Sequence, residues 1–299
     1  MEETGTHAAA VSEAKLKASA ARLSVSAAAF LIALKTVTGV LTGSISVWAS
    51  LLDSAMDIFA SAINYYAVRA ASAPPDEDHR YGHGKAESLA GLFQSFVICA
   101  SGLLLLWEAI RRIITPHPTA SEWLGVGTMA VACGVSFALV ARLRHVAAQT
   151  DSPALTADSV HYATDVYTNG AALVALLLVA LTGWTLADPL ISLLISGFIL
   201  WSALDVARDA VNVLMDRRLP RDIDAQVAAV VGRFRDEGVL GFHDLRTRRS
   251  GSHKFIDLHL EVEADQTLQQ AHDLTVRVIR AIQTDIPRSR VQIHTDPAE

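Results

Sequence analysis

Hydrophobic residues gather in six long runs over the first two-thirds of the chain: Leu23–Leu41, Val47–Ala67, Leu89–Ile110, Leu124–Val140, Val166–Leu181 and Pro189–Ala207. Each approaches the roughly 20 residues a helix needs to cross a ~30 Å hydrocarbon core. The fifth has a polar extension reaching back to Ala154. Turn-forming stretches separate the runs: Thr42-Gly43-Ser44, Pro74-Pro75, Pro116-His117-Pro118, Ser152-Pro153 and Gly183 through Pro189. The pattern predicts six transmembrane helices within 1–216, with 1–19 as a flexible N-terminal segment. That segment holds Glu13, Lys15 and Lys17 and has no small-residue cleavage pattern, so the first run reads as a retained helix rather than a signal peptide.

After Asp216 the period changes. Ile223, Val227, Val230, Val231 and Phe234 recur at helical spacing, and Ile256, Leu258, Leu260 and Val262 alternate with polar residues as in a half-buried strand. Leu268–Ile282 reads as a second helix, with strands near Phe242–Thr247 and Arg290–His294. The order α-β-β-α-β over 217–299 is a small two-layer α+β domain of ferredoxin-like type.

Charge sharpens this division. Charged residues make up 19% of the chain, against about 25% in soluble domains. Residues 217–299 hold 13 of the 25 Lys and Arg, balanced by 13 Asp and Glu. A net charge of −6 disfavours a nucleic-acid partner. Cys99 and Cys133 lie inside apolar runs, which rules out a disulfide scaffold. With the amino terminus inside, the inner segments carry 11 Lys and Arg, against only Arg111 and Arg112 outside. The positive-inside rule therefore predicts a multi-pass cell-membrane protein with both termini in the cytoplasm.

Ionisable groups inside spans are costly, and each is a functional candidate. The second span carries Asp53 and Asp57, one helical turn apart, and the fifth begins with His161 and Asp165 at the same spacing. Three carboxylates and one imidazole suit a tetrahedral site for zinc or a similar first-row ion. The loop from Asp76 to Glu87 adds His79 and His83, although spacing alone favours an ordinary solvated loop there. The tail holds five of the eleven histidines, His243, His253, His259, His272 and His294, together with Asp296. His259 points away from the tail's core, and spacing leaves open which of the five converge.

These motifs resemble the cation diffusion facilitator family, in its bacterial zinc and ferrous-iron efflux branch. The matching pieces are Leu52-Asp53-Ser54 with Asp57, the stretch His79 to Glu87, His161 with Asp165, His243 to Arg248, and Ile293-His294 with Asp296-Pro297. The resemblance implies a homodimeric exporter in membrane lipid, passing a divalent cation (zinc foremost, also iron(II) or cadmium) against protons. It implies a transport site at Asp53, Asp57, His161 and Asp165, and a weaker loop site at Asp76, His79 and His83. It also implies a cytosolic cluster at His243, His259, His272, His294 and Asp296, with zinc as substrate and as a structural ion of the tail. An ion pair between Lys85 and Asp216 near the dimer interface belongs to the same expectation.

Enzymatic readings are weaker. Gly84-Lys85 is followed by Ala86, so there is no phosphate-binding loop. No His-Glu dipeptide occurs, which disfavours an intramembrane metalloprotease. No organic cofactor is expected. A membrane metal sensor that transports nothing would carry the same residues.

Overall fold

The computed structural model describes the backbone of residues 2–42, 45–115, 123–184 and 186–298, and the side chains among them other than 2–10, 39, 41–42, 45–55, 123–126, 176 and 179–180. The chain forms two compact units, Met1–Val211 and Asn212–Glu299, divided within the last turn of the sixth helix.

The first unit consists of six helices: α1 (Glu2–Thr42), α2 (Ile45–Ala71), α3 (Lys85–Ile114), α4 (Trp123–Thr150), α5 (Pro153–Thr182) and α6 (Ala187–Leu214). Each contains one of the six apolar runs and extends past it into polar sequence. Among the described residues, stretches within α1, α3, α4 and α6 are long and apolar enough to cross a membrane. The other two, α2 and α5, have ample length at 27 and 30 residues and carry the candidate ligands. The expected breaks at Gly43-Ser44 and Pro116-His117-Pro118 lie outside the described residues.

Residues 2–19, read from composition as flexible, belong instead to α1. Strong helix formers (Ala8–Ala10, Ala14, Ala18) favour this, and a buried ion pair anchors it. Lys17, only 5% exposed, places Nζ 3.1 Å from Glu87 Oε1 at the start of α3 and 3.4 Å from Glu13. The other carboxylate oxygen of Glu87 accepts a hydrogen bond from Ser152 Oγ. One buried carboxylate thus ties α1, α3 and the α4–α5 turn together. In that turn Asp151 adopts φ 49, and Pro153 opens α5 at the first helical position, where its missing N–H costs nothing.

Small residues set the closest approaches. Ala20 and Ala21 of α1 are almost wholly buried, and pack in one cluster with Leu143, Val146, Leu155 and Tyr162. A Cβ on Gly102 of α3 would come within 3.0 Å of the Ile199 side chain of α6, so the side chains of Ile199 and Leu200 pack directly onto the α3 backbone there. The two arginines that ran against the positive-inside count are matched at their own end of the bundle. Arg112 meets Glu108 at 2.9 Å and Asp188 of α6 at 2.8 Å, and Arg111 approaches Glu108 at 3.8 Å.

The second unit is α7 (Arg221–Gly232), β1 (Val239–Ser250), β2 (His253–Val262), α8 (Leu268–Asp285) and β3 (Ser289–Pro297). The sheet order is β1-β2-β3, antiparallel then parallel. Thr267 and Gln270 form a reciprocal capping box that starts α8. Ile256, Leu258 and Leu260 face the helices and pack with Val227, Leu274, Val278 and Ile282. The opposite face of β2, which includes His259, is thereby left outside the core.

The Lys17–Glu87 pair yields a test. Removing one member of a buried pair strands a charge and costs about 3–5 kcal/mol, whereas replacing both with apolar residues is often neutral. Glu87→Met should therefore lower the melting temperature of the detergent-solubilised protein markedly, and the Lys17→Met/Glu87→Met double variant should recover most of it. A double variant no more stable than the single would show that the pair is not coupled.

Candidate functional site

Among the described residues, three groups of histidine and carboxylate side chains have ligand atoms that converge within 4.8 Å: Asp57, His161 and Asp165; Asp76, His79 and His83; and His243, His259 and Asp296.

The first lies between α2 and α5. His161 is 2% exposed, and its Nε2 sits 3.1 Å from Asp57 Oδ1, whose side chain is 19% exposed. Asp165, one turn along α5, completes the group. The His161–Asp165 pair of α5, one turn apart, thus meets Asp57 of α2. Asp53 lies on α2, but its side chain is outside the described residues. Two carboxylates and an imidazole form a donor set suited to zinc or ferrous iron.

Beside this group is a polar knot that sequence reasoning missed. Asp158, one turn before His161, is fully buried and accepts a hydrogen bond of 2.6 Å from Ser24 Oγ of α1. Tyr162 donates to the Ser24 carbonyl at 3.1 Å and lies 2.8 Å from Ser61 Oγ of α2. Because the single phenolic hydrogen is used on Ser24, Ser61 is the donor to Tyr162. Asn64 of α2 is also buried. The signal was present, since Ser61 and Asn64 continue the Asp57 face at helical spacing and Asp158 continues that of His161.

The second group is formed by the loop between α2 and α3. Asp76 Oδ1 accepts the backbone N–H of His79 at 2.6 Å, and His83 Nε2 lies 3.1 Å from Asp76 Oδ2. The His79 backbone hydrogen bond, followed by the charge of His83, holds the Asp76 carboxyl below the usual carboxylate range. The loop that spacing alone assigned to solvent is therefore locally organised.

The third group follows from strand register. His243 of β1 is paired with His259 of β2, and His259 with His294 of β3, so three imidazoles form a row across one sheet face. Asp296 lies 2.8 Å from His259 Nδ1, 3.1 Å from His294 Nε2 and 3.6 Å from His243 Nε2. The hydrogen bond from His259, aided by the charges of the other two, holds Asp296 below the usual range. Glu261, absent from the expected set, lies 2.9 Å from His243 Nδ1. Imidazole nitrogens with a central carboxylate match the donor chemistry of a zinc ion. His272 stands exposed on α8 and joins none of these groups among the described residues. Lys85 opens α3, while Asp216 lies 3.5 Å from Arg248 within the second unit.

Residues 21–215 match the cation efflux transmembrane domain, and residues 219–298 match the cytoplasmic domain of cation efflux proteins. The chain is 43% identical over 279 residues to the cation-efflux pump FieF of Yersinia pestis (strain Pestoides F), covering 93% of this chain and 92% of that relative. The same values hold for the FieF of Yersinia pseudotuberculosis serotype I (strain IP32953). A solved chain of CzrB in its zinc form is 32% identical, covers 27% of this chain and 92% of its own, and has a TM-score of 0.26.

Asp296 offers a pH test in the metal-free protein. A carboxyl held low in the folded state adds stability above its unfolded pKa, and that stability is lost as pH falls through the folded value. Asp296→Asn should therefore lower the melting temperature near neutrality, with a difference that shrinks below about pH 4. A difference that persists undiminished at pH 3 would show that the contact acts through packing rather than charge.

Proposed function

The chain belongs to the cation efflux, or cation diffusion facilitator, family, and on that premise we propose that it exports zinc or ferrous iron across the cell membrane in exchange for protons. It is a transporter and not an enzyme, a multi-pass membrane protein with a cytoplasmic C-terminal domain. The supporting observation is the meeting of Asp57 with His161 and Asp165 between two membrane helices.

In this reading Asp53, Asp57, His161 and Asp165 bind the travelling ion in the inner membrane, and cadmium fits the same donors. Their ligand atoms must be deprotonated to bind metal, so loading releases protons and unloading takes them up. That is antiport written into one site, with α2 and α5 exposing it alternately to the two sides. Asp76, His79 and His83 gather ions at the cytoplasmic loop with lower affinity. The His243, His259, His294 and Asp296 row, together with His272, is assigned to the tail's zinc, which would brace β1 against β3 and favour the homodimer by mass action. The Lys85–Asp216 ion pair belongs to this proposal as well.

Proteoliposome flux under an outside-acid gradient tests the reading across zinc, iron(II), cadmium and manganese. Tight zinc binding without any flux would mark a metal-sensing membrane protein instead. His161 is the single nitrogen donor of the site, and nitrogen favours zinc over manganese. His161→Asp should reduce the zinc-over-manganese flux ratio by roughly tenfold or more. An equal loss for every ion, with folding intact, would show that His161 orients Asp165 rather than selecting the metal.

A further inference from the structure

Asp158 is fully buried in a membrane helix, one turn before His161. One oxygen, Oδ2, accepts from Ser24 Oγ at 2.6 Å. The other, Oδ1, has no hydrogen-bond partner, and neither does Nδ2 of Asn64, which is 3% exposed. Asn64 approaches the same carboxyl without meeting hydrogen-bond geometry. An acceptor and a donor are thus both left open in a site sealed from solvent. Buried polar groups are nearly always satisfied, and orphans of this kind call for a water, an ion or a function.

Their position along the helices gives the orphans meaning. Asn64 is two turns past Asp57 on α2, towards the end that leads into the Asp76–His83 loop. Asp158 is one turn before His161 on α5, towards the end where Ser152 meets Glu87 of α3. Both therefore lie on the loop side of the Asp57–His161–Asp165 group. We propose that Asp158 is a waypoint ligand for the divalent cation, receiving it from the loop side and passing it to that group, with Asn64 supporting its hydration shell. Ser24 holds the carboxylate aside through Oδ2, and the Tyr162 bonds to Ser24 and Ser61 close α1 and α2 over the same place. Negative charge between low-dielectric walls draws cations in and raises their arrival rate by about 10–10³-fold.

The inference rests on the transport reading above, and the experiment separates the two. Zinc flux into proteoliposomes is measured over a range of zinc concentrations for the full-length wild type, Asp158→Asn and Ser24→Ala, each checked for monodisperse elution and helix content. Asp158→Asn keeps the shape and the Ser24 contact and removes the charge. It should lower kcat/KM roughly tenfold with kcat within about twofold, since loading is slowed but the central site is untouched. Ser24→Ala leaves the carboxylate and frees it, so kcat/KM should stay at or above wild type even if Asp158→Asn fails to fold. Unchanged kcat/KM in Asp158→Asn, an equal fall in its kcat and kcat/KM, or a loss in Ser24→Ala would each overturn the waypoint and leave a structural knot. Absence of flux in the wild type would overturn the transport reading itself.

Discussion

A charge placed inside a hydrocarbon layer has to be answered by another polar group, a proton, a cation or water, and the arrangement of α1 to α6 follows from where those answers are found. Lys17 is answered by Glu87, and Glu87 in turn by Ser152, which fastens α1 to the start of α3 and to the α4–α5 turn. Arg112 is answered by Glu108 and Asp188, which joins α3 to α6 at the other. These pairs are locked, because each partner is a fixed side chain of opposite sign. The group at Asp57, His161 and Asp165 differs in kind. It gathers two carboxylates around one buried imidazole, and on the transport reading such a set suits an ion that arrives and leaves.

The tail gathers its ligands by another geometric rule. On a helix, donors converge when they are spaced by one turn and two helices face each other. On the sheet, they converge when residues of equal register point to the same side, and the pairings His243–His259 and His259–His294 do this across three strands. The β-bulge between His243 and Arg246, with Asp244 at φ 53, shifts β1 by a residue just past this row. A one-residue slip on the nearer side would turn His243 into the core. The packing of Ile256, Leu258 and Leu260 against α7 and α8 is therefore what holds the imidazoles in line.

Much of this was legible in the sequence, for physical reasons. Twenty-residue apolar runs are forced by the thickness of a membrane, so six helices could be counted directly. Turn-spaced Asp57, His161 and Asp165 stood out because ionisable residues are rare in such runs. The loop and the histidine row were harder. Asp76 is organised by the backbone N–H of His79, and the row depends on strand register, neither of which spacing can display. Lys17 looked like part of a solvated leader because its partner lies 70 residues away. Asp158 was passed over because its polar neighbours, Ser24 and Asn64, come from two other helices and carry no charge to draw attention.

Exposure separates the three groups in a way that bears on what each can do. Side chains of the loop group range from 23% to 61% exposed, and those of the tail group from 28% to 51%. A cation held at either place keeps part of its water, so binding is weak unless further ligands are supplied, and exchange needs no movement of the fold. At the central group His161 is 2% exposed and Asp57 19%, so on the proposed transport reading an ion there has to shed more of its hydration and accept the protein's donors instead. On that reading the loss would make the centre discriminating, because only ions content with few nitrogen and oxygen donors recover it. It also makes the centre slow to empty while the helices stay as they are, since the outgoing ion has to regain water before it can leave. A site able both to choose and to release therefore requires its walls to move, and the uncharged hydrogen bonds among Ser24, Ser61 and Tyr162 are cheaper to break and remake than the ion pairs that lock the two ends of the bundle.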